Sequence, residues 1–143
     1  MKKVINVLVI DDNEYYNKLL TDAIRQSVTS ALPERKFKLV LRSFTDANEY
    51  IRQFKSEEIV CSDSIVFVDY YLGNGINAAH VIKLLKEHNC NSMVVLLSQS
   101  NAVREKSKLV NCDYFVVKDN LAPALCCLYL KQFVENKYSI TLD

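Results

Sequence analysis

The stretch Ile65-Val66-Phe67-Val68-Asp69-Tyr70-Tyr71-Leu72-Gly73-Asn74-Gly75 decides how the chain reads. Its first four residues, β-branched or aromatic, predict a buried strand. That strand closes on a carboxylate, and Gly73 and Gly75, the only two glycines among 143 residues, follow at once. In an open parallel α/β sheet, ligands bind outside the carboxyl ends of the strands, so a strand-terminal acid ahead of a glycine loop is a candidate site. An aspartate there can also do no more than cap a loop or a helix. The choice turns on what the other strands end on.

Upstream, residues 4–10 form a mostly apolar run that ends on Asp11-Asp12-Asn13. From Glu14 the period changes. Tyr15, Leu19, Ala23 and Ile24 recur at three- and four-residue steps, which predicts a helix that Pro33 must end. Residues 38–44 alternate as a second strand, and Thr45-Asp46 offers an N-cap to a short helix carrying Ala47, Tyr50, Ile51 and Phe54. After the third strand, 65–69, and its glycine loop, residues 76–88 place Ala79, Val81, Ile82, Leu84 and Leu85 on a helix. A fourth strand, 93–97, ends on Ser98-Gln99-Ser100 and leads into a more polar helix over about 101–110. The fifth, 114–117, ends on Lys118, and a last helix spans about 120–135 with Pro123 in its first turn.

Five strands alternating with five helices predict a doubly wound α/β fold. It is a five-stranded parallel sheet with helices on both faces, because parallel neighbours can be joined only by crossovers. Every strand then points its carboxyl end to one edge. That edge collects Asp11, Asp12, Asp69, Ser98 and Lys118: three acids, a hydroxyl and an ammonium. Carboxylates packed together repel one another, so the cluster makes sense around a cation. Mg²⁺ fits, since it takes one or two carboxylates, keeps several waters and binds phosphate oxygens. Asp69 can then act as a nucleophile toward phosphorus, while Lys118 and Ser98 hold phosphoryl oxygens. Gly73 and Gly75 let the loop bend closely around the site.

These residues carry a resemblance. Over roughly residues 3–135 the chain resembles the receiver domain of two-component response regulators. The acidic pair Asp11-Asp12, Asp69 in V-D-Y-Y-L-G, Ser98 closing a strand and Lys118 in F-V-V-K-D fall in that family's order. The resemblance implies a flavodoxin-like strand order, 2-1-3-4-5. It implies that Asp69 accepts a phosphoryl group from a histidine kinase or phosphotransfer protein. Asp12, Asp69 and the backbone carbonyl of Tyr71 would bind Mg²⁺ directly, and Asp11 would act mainly through a metal-bound water. Phe115, three residues before Lys118, matches the switch aromatic that turns inward when the hydroxyl residue, here Ser98, moves toward the phosphoryl group. Such a protein assists its own phosphorylation and dephosphorylation without being a dedicated enzyme. With residues 136–143 as a short tail, the chain reads as a stand-alone receiver. Its output would be an interaction surface around the fourth helix, fifth strand and last helix. The last helix carries two apolar stripes, Leu121-Leu125-Leu128 and Ala122-Cys126-Tyr129-Phe133. One suffices for packing, and the surplus offers a face to a downstream protein or a second copy, a homodimer.

The chain departs from the family pattern at three places. Gln99 follows the switch hydroxyl where a small residue is usual, Asp119 follows Lys118 in place of proline, and Gly73 stands where the family has proline. Gln99 keeps a second reading open, a phosphorylation-independent interaction module that retains only the fold. A phosphatase of the haloacid dehalogenase type also uses a strand-end aspartate, but it wants D-x-D after its first strand and this chain has D-D-N. No glycine-rich loop follows the first strand, which disfavours flavin and dinucleotides. Each residue taken alone has a plainer role: Asp11 and Asp12 at a helix N-terminus, Ser98 as a cap, Phe115 in the core. His80 and His88 fall on helical positions away from the acidic edge and read as solvated.

Composition excludes further classes. A net charge of +1 with interspersed signs gives no basic field for nucleic acid or anionic membrane. Five cysteines, odd in number and without C-x-x-C spacing, argue against a disulfide framework or a zinc site. They fit a reducing cytoplasm. Lys2-Lys3 precedes an apolar run, but Asn6 interrupts it and Asp11 and Asp12 end it, unlike a signal peptide. No apolar stretch approaches the roughly 20 residues of a membrane span. The sequence therefore predicts one cytoplasmic, soluble domain.

Overall fold

Each strand expected from the sequence is found within one residue of its expected ends: β1 (Lys3–Ile10), β2 (Phe37–Phe44), β3 (Ser64–Asp69), β4 (Ser92–Ser98) and β5 (Tyr114–Val117). They alternate with α1 (Glu14–Ala31), α2 (Ala47–Lys55), α3 (Ala78–Glu87), α4 (Arg104–Ser107) and α5 (Ala122–Tyr138). The structure, a computed structural model, describes residues 1–56, 63–88, 90–108 and 110–142. All strand pairs are parallel and the order is β2-β1-β3-β4-β5, as the resemblance implied.

Strand alternation divides the core into two layers. Leu8, Ile10, Val66, Val68, Val94 and Leu96 face α2 and α3, against Tyr50, Phe54, Val81 and Leu85. Ile5, Val7, Val9, Ile65, Phe67, Val95 and Leu97 face α1 and α5, against Leu20, Ile24, Cys126 and Leu130. β3 is central, and Ile65, Val66, Phe67 and Val68 are all fully buried. A slip of one residue in its pairing would exchange the two layers, so the packing holds the register. Caps hold the helix starts. Asp46 Oδ1 accepts from Asn48 N at 2.9 Å, and Pro123 sits in the first turn of α5.

Two helices depart from expectation. In place of a helix over 101–110 there is a 3-10 turn, Asn101–Val103, and then the single turn of α4. In the 3-10 turn Val103 is the buried residue, and farther on Val110 packs partly buried against the α2/α3 layer. α5 in turn runs three residues past 135, to Tyr138. There the Tyr138 hydroxyl donates to the Val4 carbonyl, and its ring meets Phe37 edge-on at 5.9 Å. After Ser139, which is left-handed (φ 52°), Ile140 N and Leu142 N donate back to Glu135. Cys90 is disulfide-bonded, which the argument against a disulfide framework did not anticipate. Among the described residues no helix is long and apolar enough to cross a membrane.

Candidate functional site

Strand register assembles the site. Ile10 pairs with Val68, so Asp11 and Asp69 leave adjacent strands at one level. Asp69 pairs with Leu97 and Ser98 pairs with Val117, which brings Ser98 and Lys118 to the same edge. The backbone N of Lys118 donates to the Ser98 carbonyl at 2.8 Å and fixes that corner.

The end of β1 is held by side chains from the first turn of α1. Asn13, rather than either acid, caps the helix: its Oδ1 accepts from Tyr16 N at 2.9 Å. Its own N donates to Asp11 Oδ1 at 2.9 Å. Buried Asn17 donates through Nδ2 to the carbonyls of Asp11 (3.1 Å) and Phe44 (3.0 Å), tying β1 to β2. Asp11 is thereby turned inward. Its Oδ2 lies 2.5 Å from Lys118 Nζ, and the same ammonium is 3.3 Å from Asp69 Oδ2.

Lys118 is almost wholly enclosed, its side chain 2% exposed, and its Nζ lies 4.5 Å from the centre of the Tyr16 ring. One carboxylate oxygen from each of Asp11, Asp12 and Asp69 falls within 4.8 Å of the others. Asp11 is buried, Asp69 half-buried and Asp12 exposed. Burial pushes the Asp69 carboxyl from 3.8 up to about 7; Lys118 pulls it down, while Asp11 and Asp12 push it further up. This donor set, three carboxylates to one ammonium and open to solvent on the Asp12 side, fits a hard divalent cation with oxygen ligands.

The loop after Asp69 curls over the acids. Gly73, Asn74 and Gly75 are all left-handed (φ 79°, 52° and 74°), and Leu72 N donates to the Ile76 carbonyl at 3.0 Å. The φ of 79° at Gly73 is one that side-chain-bearing residues rarely adopt, so glycine serves the turn, and a Cβ there would be in contact with Asp12 Oδ2 at 3.4 Å. Asp12, Asp69, Tyr71, Ser98, Gln99 and Lys118 line one open cleft. Ser98 is buried and its Oγ accepts from Ser100 N at 3.2 Å, while Gln99 is exposed on the rim. Phe115 is half-buried at the edge of the α2/α3 layer, with the Arg104 guanidinium 4.7 Å from its ring centre. Asp119 takes the place of a loop proline by accepting from Leu121 N at 2.9 Å, and no described peptide bond is cis.

Every site residue expected from the sequence therefore lies at this edge, apart from Phe115, which sits three residues before Lys118, inside β5 and opposite Leu96. Tyr16 and Asn17 were not anticipated. Tyr16 follows Asp12 and Asn17 follows Asn13 by four residues, about one helical turn, which returns their side chains toward the strand end. The histidines are exposed yet engaged: His80 Nδ1 accepts from Asn77 N at 3.1 Å, and the His88 ring packs edge-on against Phe54. On α5, Ala122, Cys126, Leu130 and Val134 face the sheet, while Leu125 (36%) and Leu128 (58%), and Leu121 (72%) just ahead of the helix, are exposed.

No protein-family model matches the chain. No curated protein matches it either. Solved structures do. Response regulator DrrB of Thermotoga maritima, an OmpR/PhoB homologue, is similar at TM-score 0.66 and 18% identity, covering 94% of this chain and 54% of that one. The chain thus spans about half of that protein. The BeF3-activated DrrB receiver domain is similar at TM-score 0.68 and 18% identity, covering 93% of this chain and 99% of that one. Response regulator TrrA of T. maritima, in complex with Mg²⁺-BeF, gives 0.65 and 19%, covering 93% and 99%. At these identities the likeness speaks for the fold, and over nearly the whole chain that fold is the flavodoxin-like fold of response regulator receiver domains.

Proposed function

We propose that the protein is a phosphoacceptor of a two-component or phosphorelay system. The observation that carries this reading is Lys118 Nζ lying between Asp11 and Asp69, with Asp12 in the same acidic cluster. An Asp69 oxygen forms a bond to the phosphorus of a phosphohistidine as the P–N bond breaks, and the imidazole leaves. Asp12, Asp69 and the Tyr71 backbone carbonyl would hold Mg²⁺ directly, with Asp11 acting mainly through a metal-bound water. Held there, Mg²⁺ would supply positive charge against the carboxylates and the transferring oxygens. Lys118 takes up charge on one phosphoryl oxygen, and Ser98 donates its hydroxyl to another once it releases Ser100 N. Movement of Ser98 frees space for Phe115 to turn in, which changes the surface of α4, β5 and α5. The exposed leucines of α5 are the apolar part of that surface, for a downstream protein or a second copy. The donor is a histidine kinase or phosphotransfer protein, and the chain is an acceptor rather than a dedicated enzyme.

Incubation with a small phosphodonor and Mg²⁺ should add one phosphate, detected by mass and absent in Asp69→Asn. A wild-type protein that takes none under any divalent cation would overturn the reading. Gln99 on the rim of the cleft favours one second reading, an interaction module indifferent to phosphate. Equal partner affinity for wild type and Asp69→Asn, with and without donor, would select it.

A further inference from the structure

We propose that Tyr16 is a positioning residue for Lys118, its ring fixing the ammonium between Asp11 and Asp69. A lysine is a point charge on a flexible four-carbon stem, and nothing in its chemistry holds it in one place. Here the head group meets carboxylate oxygens at 2.5 Å and 3.3 Å and an aromatic face at 4.5 Å. The ring is itself fixed. Asn13 captures Tyr16 N in the first turn of α1, and the side chain packs against the layer between the sheet and α1/α5.

The hydroxyl tells the two parts of the residue apart. Tyr16 Oη is buried and has no hydrogen-bond partner among the described residues. A buried hydroxyl without a partner is destabilising, so it does not explain the residue's place, and the ring is the part that acts. An aromatic face attracts a cation most strongly where water is excluded, which is the condition around Lys118. The ammonium is thereby oriented before a phosphoryl group arrives, and no reorganisation is needed when charge develops on its oxygens.

The contact stands on geometry alone; its effect on rate rests on the phosphoacceptor reading. The contact is tested in the unmodified protein by NMR of the Lys118 ε-methylene protons, assigned with Lys118→Arg. They should be shifted upfield by the ring current in wild type and Tyr16→Phe, and lose that shift in Tyr16→Leu and Tyr16→Met. An unshifted wild-type resonance, or one unmoved in the non-aromatic variants, overturns the proposal. The effect is tested by the rate of Asp69 phosphorylation from a small donor with Mg²⁺. Both non-aromatic variants should be slower by roughly 10- to 30-fold, the rate equivalent of a desolvated cation–π contact, and Tyr16→Phe should restore the rate. Urea unfolding establishes that each variant is folded, and the two non-aromatic replacements guard against one failing. A labelled wild type with unchanged rates in both overturns the role of Tyr16 alone. A wild type that takes no phosphate overturns the function above and with it the effect on rate, and the NMR comparison still decides the contact.

Discussion

Replacing Asp69 by asparagine should make the metal-free protein more stable at pH 8 and leave it nearly unchanged in acid. Burial raises the carboxyl from 3.8 to about 7 in the folded chain. Between those values the folded state keeps a proton that the unfolded state has shed, so stability falls as pH rises through the window. Each unit is worth about 1.4 kcal/mol, which bounds the total at about 4 kcal/mol at pH 8. Asparagine imitates the protonated carboxyl and carries no such loss. Urea unfolding in EDTA should therefore show the variant ahead of wild type by up to about 4 kcal/mol near pH 8, with the gap shrinking by more than half near pH 5. Adding Mg²⁺ at pH 8 should raise the wild-type midpoint more than the variant's, because the ion binds the folded cluster and gains from the ionised carboxylate. A variant equal to or weaker than wild type at pH 8 in EDTA would refute the claim that Asp69 is ionised at a cost.

Three further outcomes follow from the same geometry. Lys118→Met leaves Asp11 and Asp69 facing each other in a buried site with no cation, and should lower stability by roughly 3–5 kcal/mol near pH 8, less in acid, read from urea midpoints. Asn17→Ala removes the donor that Asp11 O and Phe44 O share, and should cost about 2 kcal/mol and speed hydrogen exchange at the ends of β1 and β2. Gly73→Ala forces a Cβ onto a φ of +79°, 3.4 Å from Asp12 Oδ2. It should cost roughly 1–2 kcal/mol and weaken Mg²⁺ binding severalfold by calorimetric titration.

The site was legible because each of its main residues is the first polar side chain after an apolar run. Asp11 follows Ile10, Asp69 follows Val68, Ser98 follows Leu97 and Lys118 follows Val117. Both faces of the sheet are buried, so the apolar runs cannot slip against one another, and their polar ends arrive at one level whatever the loops do. Residues that act from a second layer lack that signature. Tyr16 and Asn17 stand in a helical turn where an aromatic and an amide need no explanation, and only the return of α1 over the strand edge gives them Lys118 and two carbonyls to meet. The same distinction explains the helices. α5 outran its expected end because Tyr138 finds Val4, 134 positions away, while α4 keeps a single turn. Local pattern therefore determines what reaches the sheet edge, while contacts across the chain determine how firmly it is held there. On that division, substitutions at Asp69 should abolish phosphorylation outright, and those at Tyr16 should change only how fast it proceeds.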